Sequence, residues 1–177
     1  MASIVMAAPT SEELEEYAVW SAGIRDLYIG PRVELIVIRD RTKLDDSAKK
    51  AISSAAQEWN LDAKVVKDFQ ANNKSERSLG KWFRLPITYT LISREELDDF
   101  FVVHKLDRTG WDLFYAKYPK SRGVVWVSRP AFNATKNQAI VYICNQRNWL
   151  GGEGYLVLLT QRDGAWVVKD KLLIWIS

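Results

Sequence analysis

The sequence offers one histidine and one cysteine, so reactive chemistry has few carriers. His104 and Asp107 stand three residues apart. In a helix that spacing would let the carboxylate orient the imidazole as a general base. No nucleophile is tied to the pair by spacing, and an exposed loop histidine is the preferred reading. Cys144 alternates with Ile140 and Tyr142 in a β-rich run. Such a cysteine reads as a buried structural residue, since a reactive thiolate needs a neighbouring cation or a helix N-terminus. With one His and one Cys, a metal site would have to be rich in carboxylates, and no EF-hand spacing is present. Gly151-Gly152-Glu153-Gly154 lacks the lysine and hydroxyl of a phosphate-binding loop and runs into a strand, so its glycines read as backbone turns. The sequence therefore calls for no catalytic residue, no metal and no cofactor.

Aromatic residues carry more information: 8 Trp, 7 Tyr and 6 Phe in 177 residues. Trp149 sits in a polar, glycine-flanked stretch beside Arg147 and Asn148. There it suits stacking on a ligand better than core packing. Trp126 and Ser128 alternate with Arg129, placing an aromatic ring and a guanidinium on opposite faces of one predicted strand. Asp170 shares the parity of Trp166, Val168, Leu172, Ile174 and Ile176, a series expected to face the core. Either a bulge displaces it to solvent, the preferred reading, or it is a polar group inside a pocket. Trp149, Trp126, Arg129 and Asp170 are the candidate ligand-binding residues.

The elements that must position these residues follow from period and punctuation. Thr10 and Glu13 form a capping box that opens a helix, and Gly30-Pro31 closes it. Residues 33–38 form a nearly unbroken apolar run, which predicts a strand buried on both faces. Ala48, Ala51, Ile52, Ala55, Ala56 and Trp59 give the clearest amphipathic helix, over 46–59. Asp62 opens a third helix, residues 84–92 form a strand, and Ser93 and Trp111 lie in two further short helices. From Gly123 the period changes to two. Runs at 124–132, 138–144, 155–161 and 166–176, separated by turn residues, predict a four-strand antiparallel meander. The fold class expected is α+β, with the N-terminal helices on one face of a mostly antiparallel sheet.

Length and composition fit one domain, over residues 10–177, preceded by a small apolar stretch at 1–9 that reads as disordered or as the remnant of a signal peptide. A cytoplasmic location, or export from a longer native chain, is compatible with this reading. No apolar run approaches the ~18 residues of a membrane-spanning helix. The 25 basic and 22 acidic residues are interspersed, which argues against a nucleic-acid-binding stripe.

The pattern Ser128-Arg129, Phe132-Asn133, Gln138-Ala139, Val141-Tyr142, Gly152 to Gly154, Leu158-Leu159, Gly164, Trp166-Val167 and Trp175-Ile176-Ser177 resembles a set of uncharacterised bacterial proteins. The resemblance covers chiefly the last third, with a further stretch over 17–42, and implies no activity. Helices followed by a curved meander with a Gly-x-Trp hairpin also resemble cystatin-like and nuclear-transport-factor-2-like folds, which implies a fold alone. Three functional readings follow. The first is a non-catalytic binding or interaction module with an aromatic-lined cleft for a small ligand, peptide or protein partner, with homo-oligomerisation left open. The second is a hydrolase or isomerase using an acidic residue in a sheet pocket. The third, a weak single-stranded nucleic acid binder, would stack bases on Trp126 and Trp149.

Overall fold

The computed structural model describes residues 8–102 and 109–177. The expectations for His104 and Asp107, and for most of 1–9, fall outside the described residues. Helix α1 (Ser11–Tyr28) opens on the predicted capping box, in which Thr10 and Glu13 satisfy each other's backbone amides. Strand β1 (Leu35–Arg39) follows, then α2 (Asp46–Glu58), α3 (Ala63–Asn72), β2 (Thr88–Ile92), α4 (Arg94–Val102) and α5 (Gly110–Lys117). The C-terminal third is entirely β: β3 (Ser121–Val127), the short β4 (Ala131–Phe132), β5 (Gln138–Asn148), β6 (Gly151–Arg162) and β7 (Ala165–Ile176).

All seven strands form one sheet in the order β2-β1-β3-β5-β6-β7, with β4 pairing β5 beyond the end of β3. The meander of β5, β6 and β7 is antiparallel, as the period-two runs predict. The sheet as a whole is mixed, because β1 runs parallel to both of its neighbours, β2 and β3. Parallel neighbours need long crossover connections, and the helix pairs α2–α3 and α4–α5 supply them.

The expectation that the helices cover one face is corrected. Helix α1 packs on the face bearing Ile36, Ile38, Val125, Val141, Ile143 and Val157. Helices α2 and α3 cover Ile140, Tyr142, Cys144 and Leu156 on the opposite face, and α4 and α5 cover Val37 and Val124 there. Strand β5 sits at the centre with both faces covered, so residues 139–145 are all buried. Burial on both sides explains why its apolar run is continuous instead of alternating. The α2 stripe lies as the period requires: Ala48, Ile52 and Ala55 are fully buried, while Lys49, Lys50, Ser53 and Gln57 are exposed.

Two local departures shape the sheet. The predicted strand over 124–132 is interrupted at Ser128, whose hydroxyl accepts the Tyr142 N–H at 2.9 Å, while its own carbonyl accepts Trp20 Nε1–H at 2.7 Å. A side-chain oxygen thus replaces one backbone rung and frees the carbonyl to fix α1. In β7 the register slips between Leu158↔Asp170 and Leu159↔Val168, leaving Lys169 as an extra residue. Trp166 and Val168 consequently pack under α1, whereas Leu172 and Ile174 pack on the α2 face. The series expected to face one core is divided between two.

Candidate functional site

Two adjoining cavities open on the face that carries α2 to α5, between the two helix pairs. The first, of about 180 Å³, has a floor of Tyr142 and Cys144 from β5 and Trp175 from β7, with Lys43 and Asp45 at its side. The second, of about 260 Å³, is walled by Leu97, Asp98 and Phe101 of α4, Trp111 of α5, and Trp149. Trp126 and Gln146 line both, so the cavities are two lobes of one cleft meeting at Trp126. Four of the eight tryptophans therefore converge here, which absorbs much of the aromatic surplus.

The floor of the first lobe depends on two missing side chains. The glycines of the 151–154 stretch are strand residues of β6, not turns, which corrects their reading from sequence. A Cβ at Gly154 would lie 2.3 Å from Trp175 Nε1 and 2.6 Å from Tyr142 Oη, and one at Gly152 would lie 2.9 Å from the Trp175 ring. Trp175 lies against β6 because nothing projects from it at those positions. Its Nε1–H donates to Tyr142 Oη at 2.7 Å. Burial pushes the Cys144 thiol up to about 12 and raises the Tyr142 phenol above its ordinary range. Both groups are uncharged at neutral pH. A thiol so held is the opposite of an activated nucleophile.

In the second lobe the rings stand as walls. Phe101 meets Trp111 at 5.4 Å with planes 69° apart, and meets Trp149 at 5.2 Å with planes 73° apart. The hairpin tip that carries Trp149 is a two-residue turn, with Asn148 facing Gly151 and Asn148 Oδ1 accepting the Leu150 N–H at 2.9 Å. A register shift between Gln146 and Asn148 leaves Arg147 as an extra residue just before the turn, and a bulge there bends the strand and re-aims the tip. Trp149 is 62% exposed and Leu150 84%. Helices α4 and α5 are held together by Glu96, which accepts hydrogen bonds from Lys117 Nζ at 2.7 Å and from the Tyr118 hydroxyl.

Of the four candidates named from sequence, the structure brings Trp126 and Trp149 together in the second lobe. Arg129 lies elsewhere, on the α1 side. Its guanidinium donates to Glu16 Oε1 at 2.6 Å, and Arg77 donates to Glu16 Oε2 at 2.8 Å. Glu16 is almost wholly buried. Burial raises its carboxyl above the ordinary range against the pull of Arg129, so this is an internal ion cluster that ties α1 to the loop after α3. Asp170 is exposed on the β7 bulge, accepts Trp59 Nε1–H at 3.0 Å and lines neither lobe. Phe101, Trp111, Tyr142, Gln146 and Trp175 belong to the cleft but were not singled out from sequence. The paired glycines 152 and 154 within a β-rich run were the available signal for Trp175, since such positions mark close approach of a bulky group. Among the described residues, no three His, Cys, Asp or Glu side chains gather as a metal site would require, and no helix is long and apolar enough to cross a membrane. No protein-family model, curated protein or solved structure matches this chain at a significant level.

Proposed function

We propose that the protein is a non-catalytic binding module whose two-lobed cleft receives a small ligand. The observation that carries this reading is the convergence of Trp111, Trp126, Trp149 and Trp175, from three strands or hairpins and one helix, on one cleft between the helix pairs. Aromatic walls with a few polar groups, here Gln146, Asp98, Lys43 and Asp45, are the usual composition of a ligand pocket. Each lobe is smaller than the ~300 Å³ at which drug-sized pockets begin, so the ligand is compact or enters one lobe with one end. The protonated state of Cys144 and Tyr142 supports binding over nucleophilic chemistry in the first lobe.

The test is a titration of isotope-labelled protein with indole and with cyclohexanol, read from the tryptophan indole N–H resonances. The reading expects saturable shifts confined to Trp111, Trp126, Trp149 and Trp175. Shifts concentrated on Trp20, Trp82 or Trp166, or none that saturate, would remove the cleft as a binding site.

A further inference from the structure

We infer that the second lobe is an aromatic cage for a methylated ammonium group, with choline-like amines as the ligand class. The inference rests on the cleft being a binding site and adds the chemistry of what enters it. Three features of the lobe point the same way. First, its rings are steeply inclined to one another, Phe101 to Trp111 by 69° and Phe101 to Trp149 by 73°, with Trp126 as a further wall. A flat sugar face or a nucleobase is bound by one open platform, whereas a tetrahedral cation is surrounded by ring faces set at angles to each other. Secondly, among the described residues the one ionisable side chain lining the lobe is Asp98, a carboxylate. Ring faces and a carboxylate both present negative potential, so the lobe selects a cation and rejects an anion. Among the described residues Asp98 pairs with Arg94 at 3.3 Å, on the same helix and exposed to solvent, and Arg94 is not among the residues that line the lobe.

Thirdly, the described residues give the lobe few hydrogen-bonding groups. Among the described residues, Gln146 is the only lining side chain beyond Asp98 with an amide or hydroxyl. A primary ammonium carries three N–H donors and would lose hydration that the lobe cannot replace. A trimethylammonium carries none. Its methyl groups are satisfied by apolar walls, and its diffuse charge is satisfied by ring faces. The first lobe differs in this respect, since Lys43 and Asp45 stand together at its side and their opposite charges leave it no net negative charge.

The experiment compares choline with its neutral carbon isostere, 3,3-dimethylbutan-1-ol, by calorimetry and by the indole N–H resonances of Trp126 and Trp149. Choline is expected to bind at least about tenfold tighter, the ratio that a desolvated cation–π contact supplies. In Phe101→Leu and Trp149→Leu, which keep apolar bulk and lose the ring, choline affinity should fall at least about fivefold while the isostere is little changed. Equal binding of choline and isostere at these resonances would overturn the cage and leave the apolar cleft standing. Binding of neither would overturn the cage, and the indole and cyclohexanol titration then decides whether the cleft stands. A phosphatidylcholine vesicle arm separates the sources of the headgroup. Co-sedimentation that free choline competes away assigns the group to a lipid, and choline binding without co-sedimentation assigns it to a free amine.

Discussion

At the scale of single residues, exposure separates tryptophans that hold the fold from those that face outward. Trp20 is 1% exposed, donates to the Ser128 carbonyl and packs edge-on against Tyr17. Trp149 is 62% exposed and, among the described residues, meets one ring, that of Phe101. Trp20→Ala should cost about 3–5 kcal/mol in chemical denaturation, the usual range for deleting a buried large aromatic. Trp149→Ala should change stability by no more than about 0.5 kcal/mol, while weakening whatever the cleft binds. A loss near that of Trp20→Ala would place Trp149 in the core instead. Gly154 makes the sharper demand. A methyl group there collides with Trp175 Nε1 and Tyr142 Oη, so Gly154→Ala should cost about 1–3 kcal/mol and shift the Trp175 indole N–H resonance as its bond to Tyr142 breaks. If stability and resonance both stay put, the glycine is not what seats Trp175.

At the scale of elements, the wall formed by α4 and α5 depends on Glu96. Lys117 first, then Tyr118, hold the Glu96 carboxyl below its ordinary value near 4.5. A carboxyl depressed by folding contributes stability above its unfolded pKa and loses it as pH falls through the folded value. The difference in stability between the wild type and Glu96→Gln should therefore be full at neutral pH and shrink below about pH 4.5. Because Glu96 is partly exposed, the effect should stay under about 1 kcal/mol. Urea denaturation of both proteins from pH 3 to 7 measures it, and a constant difference would dismiss the clasp. The elements themselves were legible where their signals are local. The capping box at Thr10 and the stripe of α2 appear where the spacing puts them. Partnership was not legible. Nothing in the apolar run of β1 says that its neighbours are β2 and β3, and nothing in Ser128 says that its hydroxyl stands in for a backbone rung. Arg129 looked available because its partner, Glu16, lies more than a hundred residues earlier in the chain. The rings of the cleft likewise come from α4, α5, β3, β5, the hairpin tip and β7, so only the composition announced them.

At the scale of the whole molecule, the strand order sets local pairings against distant ones. Strands β5, β6 and β7 are joined by two short turns, whereas β1 waits for β2 and β3 from much later in the chain. Local pairings close at little entropic cost and distant ones at more. In refolding, amides of β5 to β7 should gain protection from hydrogen exchange before those of β1 and β2, and pulse labelling during refolding would show the order. Simultaneous protection would mean that the sheet forms in one step. The same order bears on synthesis in a living cell, where the chain leaves the ribosome from its N-terminus. Helix α1 and β1 emerge with the apolar surface that is destined for β5, but β5 lies about 100 residues further on, a delay on the order of 5–20 s at ordinary translation rates. A central strand encoded late thus leaves the nascent half of the protein as a client for chaperones until translation is nearly complete.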